Sequence, residues 1–119
     1  MSGLLQSHFI QLALPSIEPV KLHYLTYGNP ENPAVLCVHG LTGNAYDFDF
    51  LAETLSKRYF VIAPDMPGRG LSAHLTTKEG YSNESYLWWI LTLLKECNIA
   101  SVHWIGASMG GILGMMACA

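Results

Sequence analysis

At 119 residues the chain is one domain at most, and half its residues are apolar against 13% charged, which excludes disorder and leaves a modest core. A net charge of −3 with scattered Lys and Arg gives no basic stripe and argues against nucleic acid as a partner. The three cysteines, Cys37, Cys97 and Cys118, are odd in number and make no C-x-x-C pair, which points to a reducing, cytoplasmic setting.

Residues 1–14 have no positively charged start and carry His8 and Gln11 in the apolar stretch, so no secretory leader is expected. Residues 8–14 predict an edge strand ended by Pro15. Residues 20–27 alternate as a second strand, Val20, Leu22, Tyr24 and Thr26 on one face and Lys21 and His23 on the other. Gly28-Asn29-Pro30 and Asn32-Pro33 mark a turn, so the opening reads as an antiparallel pair. Residues 34–38 are a short apolar run, the signature of a parallel strand covered on both faces. The loop His39-Gly40-Leu41-Thr42-Gly43 leads to a helix ending near Ser56, with Phe48, Leu51 and Leu55 at helical spacing. Asp47 and Asp49 sit in its first turns and Lys57 and Arg58 at its end, matching the helix dipole.

Residues 59–63 predict another buried strand, followed by a polar loop through Asp65, Gly68, Arg69 and Gly70 to about Tyr81. Ser82 is positioned to cap a helix over 83–97 whose core stripe is Leu87, Ile90, Leu91 and Leu94, with Asn98 as a left-handed stop. Of Trp88 and Trp89, one is expected in the core and the other over a helix–helix seam. A strand over 101–105 and a helix from Met109 complete the order β-β-β-α-β-α-β-α. That order predicts an α/β fold, a mostly parallel sheet with helices on both faces. The loops at Gly40, Asp65 and Ser108 then share the carboxyl edge, where such sheets bind ligands.

The chemistry concentrates in Gly106-Ala107-Ser108-Met109-Gly110-Gly111. In Gly-x-Ser-x-Gly a strand turns sharply into a helix with serine at the tip, and the crowded flanks exclude a Cβ. Ser108 is therefore the candidate nucleophile. An oxyanion formed there needs two fixed N–H donors: Met109 supplies one, and Leu41, after Gly40, is the position chosen for the other. His39 reads as a brace for that loop in preference to a catalytic base, and Arg69 as a solvated loop cation in preference to one that reaches the site.

A membrane segment is the weaker reading of residues 99–119, which lack Asp, Glu, Lys and Arg and contain two G-x-x-x-G pairs. His103 and Ser108 interrupt the run, and no basic flank follows.

Three segments in order, Cys37-Val38-His39-Gly40, Ala63-Pro64-Asp65-Met66-Pro67-Gly68-Arg69-Gly70-Leu71-Ser72 and Gly106-Ala107-Ser108-Met109-Gly110-Gly111, resemble the N-terminal half of an α/β-hydrolase-fold enzyme. The resemblance covers roughly residues 20–119 and makes residues 1–119 the first, incomplete part of a single domain of that fold, truncated after the elbow strand and helix. It implies a serine hydrolase acting on an ester, thioester or related acyl bond. Ser108 would be the nucleophile, the N–H groups of Leu41 and Met109 the oxyanion hole, and His39, Gly40, Gly106, Gly110 and Asp65 the support. A serine at 108 argues against the dehalogenases and epoxide hydrolases of the fold, which attack with a carboxylate, and Thr42 departs from the proline they usually carry. Carboxylesterases, thioesterases, carbon–carbon hydrolases, proline iminopeptidases and cofactor-free haloperoxidases look similar.

A serine needs a base and an orienting acid, and in this fold both follow the serine in sequence. Of His8, His23, His39, His74 and His103, His39 is read as the loop brace and His74, on the loop after the fourth strand at the correct edge, is the only substitute worth naming, so acid and histidine are expected outside the chain. The alternative is a catalytically inactive fragment or binding module of the same fold. The expected partners are a small acyl substrate and another polypeptide, or a second copy, covering the open side of the last strand; neither nucleic acid nor membrane is expected. No cofactor or metal is implied: there is no His/Cys cluster or Walker loop, and Gly68-Arg69-Gly70 lacks the third glycine of a dinucleotide fingerprint.

Overall fold

A computed structural model describes residues 5–14, 17–75 and 80–118. Pro15 and the stretch 76–79 of the polar loop, on which two of the readings above rest, lie outside the described residues. The elements are β1 (Leu5–Leu14), β2 (Ile17–Tyr27), β3 (Ala34–Val38), a 3-10 turn (Ala45–Phe48) running into α1 (Asp49–Leu55), β4 (Phe60–Pro64), α2 (Asn83–Glu96), β5 (His103–Gly106) and α3 (Met109–Cys118). The strands form one sheet in the order β1-β2-β4-β3-β5. It is mixed: β1, β2 and β4 pair antiparallel, and β4, β3 and β5 pair parallel.

Each parallel crossover lays a helix on the sheet. Ala45, Phe48 and Ala52 of the 3-10 turn and α1 pack on Leu25, Val35, Cys37 and Val61 on one face. On the other face Trp89, Ile90 and Leu93 of α2 and Met109 and Leu113 of α3 pack on Leu22, Leu36, Val38 and Ile62. The apolar runs of β3 and β4 are buried on both sides for this reason.

In β2 the alternation holds: Val20, Leu22 and Tyr24 pack in one core, while Leu25 and Tyr27, on the face of Lys21 and His23, join the other, and His23 is fully buried. The strand pairs on both edges, with β1 and with β4, and is covered on both faces. The reading of α2 changes. In α2 the buried stripe is Tyr86, Trp89, Ile90, Leu93 and Leu94, while Leu91 is exposed. Both stripes have helical spacing, and the rotation that puts two aromatic rings on the sheet buries more apolar area. Trp88 is 58% exposed, so it is a surface residue rather than the cover of a buried seam.

Helix ends follow the capping residues. Ser82 Oγ accepts the Ser85 N–H at 3.2 Å. Asn98 takes φ +59°, and the Ile99 N–H returns to the Leu94 carbonyl at 2.9 Å. The small residues of 106–114 have a packing use within the fold. A Cβ on Gly114 would sit 2.8 Å from Trp104 Cδ1, and the Trp104 indole N–H donates to the Gly110 carbonyl at 3.0 Å. No helix among the described residues is long and apolar enough to cross a membrane. β5 pairs with β3 on one side, and on the neighbouring α3 Ile112 and Met115 are exposed.

Candidate active site

Parallel pairing brings the carboxyl ends of β4, β3 and β5 to one edge, and with them the three loops singled out in the sequence. Ser108 stands between β5 and α3 with φ +52°, a left-handed conformation that costs a residue with a Cβ about 1–2 kcal/mol. The turn is closed by Gly110 N–H to Ala107 O and Gly111 N–H to Ser108 O, both at 2.9 Å. It is anchored to the neighbouring strand by Ala107 N–H to Val38 O at 3.0 Å.

The flanking glycines are required by contact. A Cβ on Gly106 would collide with the Gly110 carbonyl group and the Gly111 nitrogen, and one on Gly110 with the Val38 carbonyl, whose carbon would be 2.7 Å away. The strained turn is thus pressed between β3 and α3, and Ser108 is left on the exposed side. Met109 is the first residue of α3, where backbone N–H groups have no partner inside the helix.

The loop after β3 lies against this turn: a Cβ on Gly40 would be 3.6 Å from Ser108 Cβ. His39 is fully buried and uses both ring nitrogens. Its Nε2 accepts the Met66 N–H at 2.9 Å, which leaves the proton on Nδ1, and Nδ1–H donates to the Gly40 carbonyl at 2.6 Å. Burial pushes the His39 pKa down, with the Gly40 hydrogen bond opposing, so the neutral ring is favoured. With both nitrogens committed, His39 is a brace and has no lone pair left to act as a base.

That brace has a directional effect. The Gly40 carbonyl and the Leu41 N–H belong to one planar trans peptide and point opposite ways. Holding the carbonyl toward His39, with a second bond from the Gly43 N–H at 3.1 Å, turns the Leu41 N–H away from the imidazole. Leu41, Ser108 and Met109 line one open cleft of about 490 Å³, walled also by Tyr81, Tyr86 and Ile112.

Asp65 sits at the end of β4, 1% exposed. It accepts His23 Nδ1 at 2.7 Å and Leu71 N–H at 2.9 Å on one oxygen and Ala45 N–H at 2.7 Å on the other. The Ser72 hydroxyl donates to the Asp65 backbone carbonyl at 2.6 Å and accepts the His23 N–H at 2.8 Å. Asp65 is therefore the knot joining β2, the loop after β4 and the start of the 3-10 turn. His23 Nε2 in turn meets Ser7 Oγ at 2.6 Å, so a serine–histidine–aspartate chain exists here, and Ser108 is not in it. The sequence reading put His23 on the second face of its strand but could not see its role, because its partner is 42 residues away.

Arg69 also departs from expectation. It is not a free cation: Nε donates to the Leu41 carbonyl at 3.0 Å, and Nη1 to the Pro67 carbonyl at 3.0 Å and the Tyr86 hydroxyl at 2.9 Å. Among the remaining histidines, His8 Nε2 meets Thr26 Oγ1 at 2.7 Å, and His103 is exposed with its ring edge-on to Tyr59. His74 is exposed on the loop after β4. Among the described residues no histidine hydrogen-bonds Ser108, and no group of three or more His, Cys, Asp or Glu gathers to hold a metal.

A family model described as the alpha/beta hydrolase fold matches residues 33–119. The chain belongs to that family. A 3-hydroxybutyrate-oligomer hydrolase from Cupriavidus necator is 44% identical over 103 residues, covering 83% of this chain and 35% of its own length. A human serine hydrolase-like protein is 33% identical over 76% of this chain and 44% of its own. The crystal structure of an α/β hydrolase from Novosphingobium aromaticivorans superposes with a TM-score of 0.87 at 33% identity, over 99% of this chain and 40% of that one. This α/β-hydrolase chain thus spans well under half the length of the relatives it matches.

Proposed function

We propose that the chain carries the nucleophile and oxyanion half of a serine hydrolase acting on an ester or related acyl bond. The observation that carries this reading is the backbone of Ser108: a serine forced to φ +52° at a strand–helix turn, facing a cleft that Leu41 and Met109 also line. Strain at an exposed residue points to function rather than to folding. In this reading Ser108 Oγ attacks the acyl carbonyl. The N–H groups of Leu41 and Met109 receive the negative charge that develops on its oxygen, each worth about 3–4 kcal/mol in the transition state. His39 fixes the Leu41 peptide, and Gly40, Gly106 and Gly110 allow the close approach of the two loops. Asp65 holds the edge together without entering the chemistry.

The base and acid would come from outside these 119 residues. Supporting this, His39 has both nitrogens committed and His23 faces Asp65 and Ser7. The substrate is a small ester. The Cupriavidus necator relative is named for hydrolysing 3-hydroxybutyrate oligomers, and the cleft, bounded by Leu41, Tyr81, Met109 and Ile112, suits a short apolar acyl chain. A cytoplasmic setting accords with free cysteines at Cys37, Cys97 and Cys118.

The test is labelling of the intact protein with a fluorophosphonate, followed by peptide mapping. The label is expected on Ser108 and absent from Ser108→Ala. A label that persists in Ser108→Ala, or maps elsewhere, overturns the assignment. A second reading, a binding module of the same fold without turnover, is favoured because no histidine among the described residues hydrogen-bonds Ser108. An intact protein that folds, takes no label and hydrolyses no short ester would establish it.

A further inference from the structure

Leu41 presents a problem of support. Its side chain is 60% exposed, so packing does little to hold the residue whose N–H is asked to meet an oxyanion. Two peptide planes meet at Leu41: the first carries its N–H, and the second ties down the other end of the residue, so that the chain bearing that N–H is held from both sides. His39 and the Gly43 N–H hold the first through the Gly40 carbonyl. The second plane contains the Leu41 carbonyl, and its partner is Arg69 Nε at 3.0 Å.

Arg69 is itself held. Nη1 is shared by the Pro67 carbonyl and the Tyr86 hydroxyl, and the guanidinium carbon lies 5.2 Å from the centre of the Tyr86 ring. The Arg69 backbone is tied as well, its N–H to the Met66 carbonyl and its carbonyl to the Ser72 N–H. The same loop supplies the Met66 N–H that His39 accepts, so one loop fixes both peptides of Leu41. A planar fork of donors suits this task, because one rigid group can serve three acceptors at once.

We infer that Arg69 is a positioning residue for the oxyanion site: it clamps the Leu41–Thr42 peptide and the Tyr86 wall of the cleft to the loop after β4, so that the Leu41 N–H is fixed before substrate arrives. Arg69 does not touch the reacting atoms. The inference rests on the proposed role of Leu41 and adds to it the residue that makes the role possible.

The experiment compares wild type, Arg69→Met, Arg69→Lys and Ser108→Ala in the intact protein, with a short p-nitrophenyl ester as substrate and a trifluoromethyl ketone as the analogue whose oxyanion the site must hold. For Arg69→Met, kcat is expected to fall on the order of 10- to 100-fold, the cost of a misplaced group. Affinity for the ketone should fall by a similar factor while KM and the melting temperature hold. Arg69→Lys should recover only part of the loss, since a point ammonium cannot serve the three acceptors together. An unchanged kcat in Arg69→Met overturns the inference. So does a fall in kcat that follows the melting temperature with ketone affinity intact, which would make Arg69 a structural residue only. If Ser108→Ala keeps its activity, the nucleophile assignment fails instead, and the two failures are read from different variants.

Discussion

Asp65 and Ser108 stand at the carboxyl ends of β4 and β5, with only β3 between those strands, yet their surroundings are opposite. Asp65 is 1% exposed and its carboxylate answers three donors. Ser108 is exposed, is bent into a strained backbone and packs beside glycines. A carboxylate with its hydrogen-bonding capacity taken up inside the fold contributes order. A hydroxyl held at a fixed place with its oxygen uncommitted can contribute chemistry. The Ser7–His23–Asp65 chain sharpens the lesson, for it has the residue types of a triad and sits in the knot. Residue type does not separate a site from a structural hub; the commitment of each polar atom does.

The largest expected effect tests the open side. Ser108→Gly should remove turnover, by about 10⁴- to 10⁶-fold in kcat as for loss of any nucleophile, while leaving the fold about 0.5–1 kcal/mol more stable by relieving the left-handed strain. Urea unfolding beside the ester assay reads both; a destabilised Ser108→Gly would mean the turn is not strained. On the closed side, Asp65→Ala should cost about 3–5 kcal/mol, because it leaves a buried imidazole and two backbone N–H groups without their acceptor. If it unfolds as easily as wild type, the knot is not holding the edge.

Gly110→Ala lies between the two. Its Cβ would meet the Val38 carbonyl, so overpacking should cost about 1–3 kcal/mol and move the turn. Here stability and kcat should fall together, unlike in either variant above, and separate behaviour would show that the turn and β3 are not coupled.

The smallest effect is on pH. Burial lowers the folded pKa of His39 below the 6.5 of the free side chain, so between those two values the unfolded chain binds the extra proton. The stability contributed by the neutral ring is complete above about pH 6.5 and is lost as pH falls through the folded pKa. His8, lowered mainly by burial and then by the charge of His23, acts in the same direction. His39→Gln should therefore flatten the decline of melting temperature below pH 6.5 relative to wild type, with His8→Gln beside it to separate the share of His8.

What the sequence determined by itself is what acts over a few residues. Runs such as 34–38 and 59–63 read as covered strands, Ser82 and Asn98 bracket α2, and the glycines around Ser108 announce a turn too crowded for side chains. The order of those elements was enough to place three loops on one edge, because parallel crossovers leave little choice. The tertiary structure decided the rest. That β2 lies beside β4 is not written in either strand, and it is this pairing that brings Asp65 within reach of His23. The face that α2 buries depended on the sheet it lands on, since two stripes of equal period competed. Arg69 was legible only as a charge in a loop, because its acceptors on Leu41 and Tyr86 are 28 and 17 residues away. Periodicity and backbone sterics are local and survive in the sequence; hydrogen bonds between distant segments exist only once the sheet order has brought those segments together.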